Sequence, residues 1–352
     1  MKDTHHTAEQ RVFFHPEPGG VSRRIYPVFL PFLGCPKRCI YCDQNAQTGS
    51  RQILPDIFEA LQAQLERFRD TQSTGWEIGF FGGTFTALPG NWARRFVNLA
   101  SSFKACGVVG SIRCSTRPDA LVPVQLEGLA QAGLDLVEVG VQSFDTRVLE
   151  LSGRGYDEPK VVAGCRSVVE AGLGLGIQLL PGLPGHDTRS WHRDILQVLA
   201  LAPDCVRIYP CLVLQGTPLA RAWEEGTYVP WSLDRTIEAL VLGVRSLWKQ
   251  GIPVVRMGLP PEPGLIRKVR AGPWHPALGG MVKSRLLYED VAGHCRTLGQ
   301  GPKQLFHPHR HQGELWGHRC ELKAKYTALG LSPERVRPWG QPNFLLCRTC
   351  SQ

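Results

Sequence analysis

The main body of the chain alternates short apolar runs with longer stretches in which apolar residues recur at helical spacing. The short runs predict six strands, at Ile25–Phe32, Trp76–Phe81, Gly110–Cys114, Leu134–Val141, Gly174–Leu180 and Cys205–Tyr209. The stretches between them predict helices at Asp56–Asp70, Asn91–Ala105, Pro123–Ala132, Glu158–Ala171 and His186–Ala200. Such an alternation predicts an α/β fold with a parallel sheet and right-handed crossovers.

Polar and glycine-rich clusters follow the predicted strands at their carboxyl ends. Gly82-Gly83-Thr84-Phe85 follows the second strand, Ser115-Thr116-Arg117-Pro118-Asp119 the third, and Gln142-Ser143-Phe144 the fourth. In α/β barrels the active site lies at this edge of the sheet. We therefore expect the functional side chains to gather there.

Three cysteines lie within eight residues directly after the first predicted strand, spaced Cys35-x3-Cys39-x2-Cys42. Thiolates ligate soft metals and iron–sulfur clusters, and both structural zinc sites and plain electron-transfer clusters take four protein ligands. No fourth Cys or His lies within about twenty residues on either side. A [4Fe–4S] cluster on three cysteines would leave one iron open to an outside ligand, which favours chemistry. The alternatives are a zinc loop completed by a distant ligand and a chance group of buried thiols.

The cysteine spacing, with Tyr41 just before the last cysteine, resembles the signature of the radical S-adenosylmethionine (SAM) superfamily. The resemblance implies a [4Fe–4S] cluster on Cys35, Cys39 and Cys42, whose open iron chelates SAM. One electron, from a reductant such as flavodoxin or ferredoxin, then cleaves SAM to methionine and a 5′-deoxyadenosyl radical. The cofactors carry this chemistry, so the resemblance names no further catalytic residue.

The same resemblance implies an architecture and a set of SAM contacts. The fold would be a partial (β/α)6 TIM-type barrel over residues 25–230, after an N-terminal arm (1–24) and before an α-rich C-terminal extension (231–352). Apart from the resemblance, Ala271–Gly279 is loop-like and rich in aromatic and imidazole groups, which makes it a candidate cap over the barrel; the alternative is a structured connection with a packed Trp. The expected cofactor-binding residues are Tyr41, Gly82, Gly83, Thr84, Ser115, Arg117, Glu138, Gln142, Ser143, Gln178, Val213 and Leu214.

Glu138 lies on an otherwise apolar predicted strand. A buried carboxylate without a partner is costly, so Glu138 should pair with Arg117 or with SAM. Arg117 itself offers a planar fork suited to a carboxylate. The alternative for Glu138 is an internal hydrogen-bond network with a structural role.

The run Glu138–Asp145 resembles the Elp3 and anaerobic coproporphyrinogen-dehydrogenase branch of the superfamily. The chain is too short for the acetyltransferase domain of Elp3 in addition to its own extension. This likeness favours an RNA base as substrate. Some relatives of the dehydrogenase are haem-binding chaperones, and in that reading His275 or the histidines at 307–318 would ligate haem.

The C-terminal region holds further cysteines, and the overall charge is basic. Cys347-x2-Cys350 is half of a metal site, which Cys295, Cys320 or a histidine could complete. The net charge of +9 and pI near 9.0 permit an anionic partner such as RNA, although a merely basic surface is as good a reading. No apolar signal core or membrane-length run is present, so we expect a cytoplasmic protein with no membrane partner.

Overall fold

The computed structural model of the chain describes residues 10–19, 24–44, 53–259 and 261–348. These residues form two compact units. The barrel unit contains the described residues between 19 and 236 and between 252 and 276. The C-terminal unit contains residues 10–18, 237–251 and 277–348. The predicted division at 24, 230 and 352 stays a prediction.

The barrel unit is built on one parallel sheet, and this confirms the predicted fold class. With strand β1 (Gln10–Phe13) belonging to the C-terminal unit, its strands in spatial order are β2 (Arg24–Phe29), β3 (Trp76–Phe81), β4 (Val109–Thr116), β5 (Leu136–Gln142), β6 (Gly174–Leu179), β7 (Cys205–Ile208) and β9 (Val254–Met257). Every neighbouring pair is parallel and the spatial order follows the chain order. Among the described strands β2 and β9 are the two edges, so the sheet curls into a half-barrel of the radical SAM kind.

Helices return the chain between the strands. They are α1 (Leu54–Asp70), α2 (Trp92–Ser102), α3 (Pro123–Gln131), α4 (Thr146–Leu151), α5 (Glu158–Glu170), α6 (Thr188–Leu201), α7 (Pro218–Glu224) and α9 (Pro263–Lys268), with α8 (Leu233–Lys249) running from the barrel unit into the C-terminal unit. Three of them begin at aspartates whose side chains accept the first N–H groups: Asp145 caps α4, Asp157 caps α5, and Asp187 caps α6 with a capping box to Ser190.

The central strands are buried on both faces, as expected for a parallel sheet covered by helices. In β5 the valines at 137, 139 and 141 are fully buried, and Glu138 between them is only 1% exposed. Because strands alternate their side chains, Glu138 lies on the opposite face from Val137 and Val139. That face is also the one reached by Arg113 of β4 and Gln178 of β6.

A short antiparallel ribbon lies beyond the sixth strand of the sheet. Strands β8 (Val213–Leu214) and β10 (Val269–Ala271) pair with Leu214 opposite Val269 and Val213 opposite Ala271. Trp274 packs against the apolar cluster that contains Leu214. The segment between Ala271 and Leu278 therefore holds a packed tryptophan, and its role as a substrate cap stays a prediction.

The C-terminal unit has a small sheet that the sequence pattern did not reveal. Its spatial order is β1, β13 (Phe344–Arg348), β11 (Lys303–Pro308) and β12 (Val336–Trp339). The helices of this unit are α10 (Leu278–Thr297), α11 (Gln312–Leu315) and α12 (Lys323–Ala328). Residues Gln10–Phe13, which the sequence suggested to be part of a loose arm, are a strand paired antiparallel with β13. No helix among the described residues is both long and apolar enough to cross a bilayer.

Candidate functional site

The three cysteines lie in a compact loop directly after β2. Backbone hydrogen bonds fold it tightly: Cys35 N–H donates to Phe32 O (3.1 Å) and Cys42 N–H to Cys39 O (3.1 Å). Gln44 accepts from Phe32 N–H through its side-chain oxygen at 2.5 Å. Cys39 is buried, whereas Cys35 and Cys42 are half-buried. The loop therefore presents three thiols at the carboxyl edge of the sheet, as the sequence predicted.

The Gly82-Gly83-Thr84 motif packs on this loop. Gly83 has φ +61°, and a Cβ there would lie 2.2 Å from Leu33 O, so only glycine allows the two backbones to approach so closely. The Thr84 hydroxyl lies 3.3 Å from Cys35 Sγ. In this structure the motif supports the cysteine loop. Its predicted contact with SAM remains a prediction.

A buried arginine that the sequence analysis did not single out contacts the central cysteine. Arg154 Nη1 donates to Cys39 Sγ (3.2 Å) and to the Tyr41 hydroxyl (3.3 Å). Its other nitrogens donate to the Tyr156 hydroxyl and to Gly140 O, both at 2.5 Å. Burial alone would lower the pKa of Arg154, but the neighbouring tyrosines and Cys39 raise it well above its ordinary value. Its guanidinium therefore stays charged beside Cys39.

Arg117 brings a second guanidinium to the same sulfur. Its Nη1 lies 3.8 Å from Cys39 Sγ, while Asp119 binds it through both carboxylate oxygens at 2.8 Å. Arg117 also donates to the backbone oxygen of Arg154 at 2.7 Å. Arg117 was predicted to lie near the cofactors, and the structure places it at the cysteine loop.

Glu138 is fully occupied by protein partners. Arg113 Nη1 contacts one carboxylate oxygen at 2.8 Å, and Arg207 Nε contacts the other at 2.8 Å. Gln178 donates to that second oxygen at 2.8 Å and to the Ser115 hydroxyl at 3.1 Å. The predicted residues Glu138, Gln178 and Ser115 thus come together, but they contact one another in the alternative network rather than presenting free groups.

The expected pairing of Glu138 with Arg117 is wrong, because Arg117 is held by Asp119. The network extends instead through Arg113 to a second carboxylate, Glu77, at 2.6 Å, which Ser111 also contacts at 3.0 Å. Two buried carboxylates thus meet two buried guanidiniums. Their charges balance, which removes most of the cost of burying each charge alone.

Gln142 and Ser143 end β5 in a constrained conformation. Gln142 has φ +70°, which a non-glycine residue adopts at a cost of about 1–3 kcal/mol and which clusters at functional sites. The Ser143 hydroxyl donates to Asp194 Oδ1 at 3.0 Å, and Asp194 Oδ2 lies 3.1 Å from His186 Nε2. Ser143, His186 and Asp194 are buried. They tie the end of β5 to the turn before α6, so Ser143 serves as an anchor here.

Val213 and Leu214, the expected adenine contacts, have side chains that are almost completely buried. Val213 is 0% exposed and belongs to the cluster on which Tyr41 packs. Leu214 is 2% exposed and packs in a separate cluster with Leu265. Any ligand at β8 would therefore meet its backbone rather than these side chains.

The thiols need a positive partner before they ionise. Burial raises the pKa of Cys42 to about 12, and the neighbouring cysteines add to the effect. Burial also raises the pKa of Cys35, although the Thr84 hydroxyl and Arg117 oppose the shift. Three thiols with cationic guanidiniums against Cys39 form a donor set that fits an anionic iron–sulfur cluster, whose iron would displace the thiol protons.

Sequence reasoning missed the charged residues that organise this site. Arg154, Arg207 and Asp194 are buried and the Arg113 side chain is only 12% exposed, yet residue type alone does not mark any of them as buried. A charged residue inside an apolar strand, as with Arg207 in β7, was the available signal for two of them. Arg154 gave no such local signal, because its partners come from the cysteine loop and from β5.

The C-terminal unit contains a compact group of possible ligand atoms. Among the described residues, one set of His, Cys, Asp or Glu ligand atoms lies mutually within 4.8 Å, and it comprises His15, His311 and Glu314. Glu314 Oε2 is 3.0 Å from His15 Nε2 and 3.1 Å from His311 Nδ1, and the two rings stack at 4.2 Å.

The outer nitrogens of these two rings already accept hydrogen bonds. His15 Nδ1 accepts from Glu17 N–H at 3.1 Å, and His311 Nε2 accepts from Arg310 Nε–H at 3.0 Å. A neutral imidazole has one lone pair and one N–H, so the lone pair of each ring is already engaged, and the remaining nitrogen of each ring lies beside Glu314. This arrangement joins the segment after β1 to α11 and offers no lone pair to a metal.

The predicted second metal site stays a prediction. Cys295 is buried, Cys320 is exposed and Cys347 is half-buried, while Cys350 lies outside the described residues. Of the histidines suggested as haem ligands, His307 is buried with Nδ1 3.1 Å from Pro308 O.

Two protein-family models match consecutive stretches of the chain. Residues 29–197 match the family model described as the radical SAM superfamily, and residues 203–288 match that of the radical SAM C-terminal domain. A tRNA uridine(34) acetyltransferase from Methanocaldococcus jannaschii is 32% identical over 184 residues, covering 47% of this chain and 34% of that protein. A heme chaperone HemW from Synechocystis is 25% identical over 205 residues, covering 56% of this chain and 49% of that protein.

A solved structure shares the fold. The archaeal Methanocaldococcus infernus Elp3 with an N-terminal deletion superimposes with a TM-score of 0.56 at 19% identity, covering 77% of this chain and 63% of that one. The chain spans about a third to a half of the length of the two curated relatives described above.

Proposed function

This chain belongs to the radical SAM superfamily, and on that premise we propose that Cys35, Cys39 and Cys42 ligate its [4Fe–4S] cluster. The protein is a radical SAM enzyme. When bound, its cluster and SAM supply a 5′-deoxyadenosyl radical that abstracts hydrogen from a substrate. The cysteine loop itself supports the ligand assignment, because the Nη1 atoms of buried Arg154 and of Arg117 both lie against Cys39 Sγ.

Arg154 and Arg117 would hold Cys39 in its ligating position and offset the negative charge of the loop. Hydrogen bonds to cluster sulfurs and positive charge nearby raise the reduction potential of a cluster. The predicted SAM contacts at Tyr41, at Gly82–Thr84 and at Gln142 line the same carboxyl edge of the sheet. We propose that they, rather than the internally paired Glu138, face the bound SAM.

An RNA base is the proposed substrate class. A relative named as a tRNA uridine(34) acetyltransferase supports it, and so does the charge distribution. Between residues 277 and 352 Lys and Arg outnumber Asp and Glu by eleven to five, so about a fifth of the chain contributes most of the net charge of +9. A basic surface attracts a polyanion such as RNA.

The test is SAM cleavage under anaerobic conditions. Cluster-loaded protein with dithionite and SAM should form 5′-deoxyadenosine, and the Cys39→Ala variant should form none. Adding total RNA from cells grown in deuterated medium should place deuterium in 5′-deoxyadenosine if an RNA base is the hydrogen donor. A fully loaded protein that yields no 5′-deoxyadenosine would defeat the proposal, and cleavage without deuterium transfer would remove RNA as the substrate.

Haem binding is the second candidate, supported by the relative named as a heme chaperone. Titration with haem, followed by its absorbance, should then show a saturable complex that His275→Ala weakens. An unchanged titration in that variant would rule out His275 as the ligand.

A further inference from the structure

The C-terminal unit contains a strand–helix–helix–strand motif whose two strands are parallel neighbours. Strands β11 and β12 pair from Leu305 opposite Val336 to Pro308 opposite Trp339. The two short helices α11 and α12 make the crossover between them. Strand β13 then pairs antiparallel on the other side of β11. The motif thus consists of a layer of helices on a sheet. The turn that joins its two helices lies on the protein surface.

The turn between α11 and α12 has an unusual backbone. Gly317 has φ +70° and ψ 179°, a conformation that is essentially restricted to glycine. A Cβ at Gly317 would lie 2.9 Å from Glu321 Cγ and 3.0 Å from Leu322 Cγ. Arg319 (φ +52°) and Cys320 (φ +62°) are also left-handed. Because three of its four residues have positive φ angles, the turn Gly317-His318-Arg319-Cys320 is not a regular helix.

The core of the unit fixes this turn in place. Leu322, directly after it, is 2% exposed and donates its N–H to Trp316 O at 3.0 Å. Tyr326 of α12 is fully buried in the same core. The turn is thus on the surface, but the buried residues that follow it hold it in place.

The projecting residues are basic. Arg319 is exposed, and no described residue hydrogen-bonds to its guanidinium or forms an ion pair with it. Lys323 and Lys325 are exposed on the helix that follows. The nearest carboxylate in sequence, Glu321, forms an ion pair with Arg285 at 3.6 Å. The turn and α12 therefore present positive charge to solvent.

We propose that the turn Gly317–Cys320 binds the sugar–phosphate backbone of single-stranded RNA. KH modules use a strand–helix–helix–strand motif in which a Gly-x-x-Gly turn between the helices clamps about four nucleotides of backbone. This chain has the glycine at the first position, basic residues in the middle, and left-handed Cys320 where those modules have the second glycine. The choice of RNA rather than single-stranded DNA rests on the substrate class proposed above, whereas binding of a nucleic-acid single strand by the turn does not.

The binding test uses the full-length, cluster-loaded chain without SAM and a fluorescein-labelled single-stranded RNA of about a dozen nucleotides. Fluorescence anisotropy at several salt concentrations gives the affinity and its salt dependence. Arg319→Asp should weaken binding at least about tenfold and lower the salt slope by about 1 to 2, since it removes a phosphate contact and adds a negative charge. Asp tolerates the left-handed conformation, so this variant should fold.

Arg94→Asp is the matched control, because Arg94 is an exposed arginine of the barrel unit and the change in net charge is the same. Its affinity should stay within about twofold of the wild-type value if local contacts rather than total charge determine binding. Equal losses for Arg319→Asp and Arg94→Asp would overturn the proposal. Equally tight binding of the same sequence as duplex RNA would overturn it too, and tighter binding of single-stranded DNA would overturn the assignment to RNA.

SAM cleavage measured on the same preparations separates this inference from the proposed function. Cleavage of SAM together with RNA binding that ignores Arg319 would refute the turn alone. RNA binding that depends on Arg319, in a loaded protein that cannot cleave SAM, would refute the radical chemistry alone.

Discussion

Replacing Glu138 by Gln removes the carboxylate that Arg113 and Arg207 share. Each guanidinium lies 2.8 Å from it, and the two arginine side chains are only 12% and 9% exposed. At an effective dielectric constant of about 20, one such contact is worth about 6 kcal/mol of Coulomb energy before desolvation is subtracted. Removing one partner of a buried ion pair costs about 3–5 kcal/mol in practice. We expect Glu138→Gln to lower the free energy of unfolding by that amount.

Urea unfolding of the protein, followed by circular dichroism, measures this loss as a lower midpoint with an unchanged slope. Glu59→Gln, at an exposed position on α1, should change the free energy of unfolding by no more than about 0.5 kcal/mol. Adding Arg207→Leu to Glu138→Gln should cost less than Arg207→Leu alone, because the arginine has then already lost its partner. A Glu138→Gln variant as stable as Glu59→Gln, with weakened SAM binding, would show that Glu138 serves the cofactor instead of the fold.

Four further results follow from the cysteine loop. Arg154→Lys should leave the iron content unchanged but lower the midpoint potential of the cluster in an EPR-monitored titration, because a donor to its sulfur is lost; an unchanged potential would contradict that role. Replacing a cluster cysteine by Ala should abolish iron and sulfide incorporation, whereas the exposed Cys106→Ala should not, and equal iron in both would refute the assignment. Burial raises the pKa of the Cys42 thiol to about 12, so its thiolate fraction in the apoprotein rises about tenfold per pH unit below that value. Iron incorporation should therefore start faster at pH 8 than at pH 7. A rate independent of pH would contradict this. Gly83→Ala should prevent the loop from closing, seen as lost iron binding in a protein that otherwise keeps its circular dichroism, and normal loading would contradict the close approach at Leu33.

The order of strands and helices in the barrel unit could be predicted because parallel strands buried on both faces leave strong local patterns. The cysteine loop could be predicted because its three cysteines are neighbours in sequence. Strand β1 could not be, since its four residues carry one buried side chain, Phe13, and gain their pairing only from β13. Strand pairing of that kind depends on tertiary contacts rather than on local propensity.

The candidate site was predicted in position but not in its electrostatics. The sequence placed Glu138 on the right strand, yet its partners Arg113 and Arg207 lie on β4 and β7, whose positions in the sheet relative to β5 only the folded structure defines. Arg154 is likewise separated from Cys39 by more than a hundred residues. Charge compensation is a property of three-dimensional proximity, so residue type and spacing along the chain reveal the need for a partner but not its identity.

The pairing of β1 with β13 has a consequence for the way the protein is synthesised. Gln10 is opposite Cys347, so β1 has no partner until the residues of β13 have been translated. The barrel unit can complete its sheet in the meantime, since its strands pair in the order of their translation. Long-range pairing of this type is slow and leaves an exposed strand edge open to wrong partners. Premature termination before residue 344 would therefore release a chain with a complete barrel sheet and an unpaired β1 that chaperones or proteases could recognise.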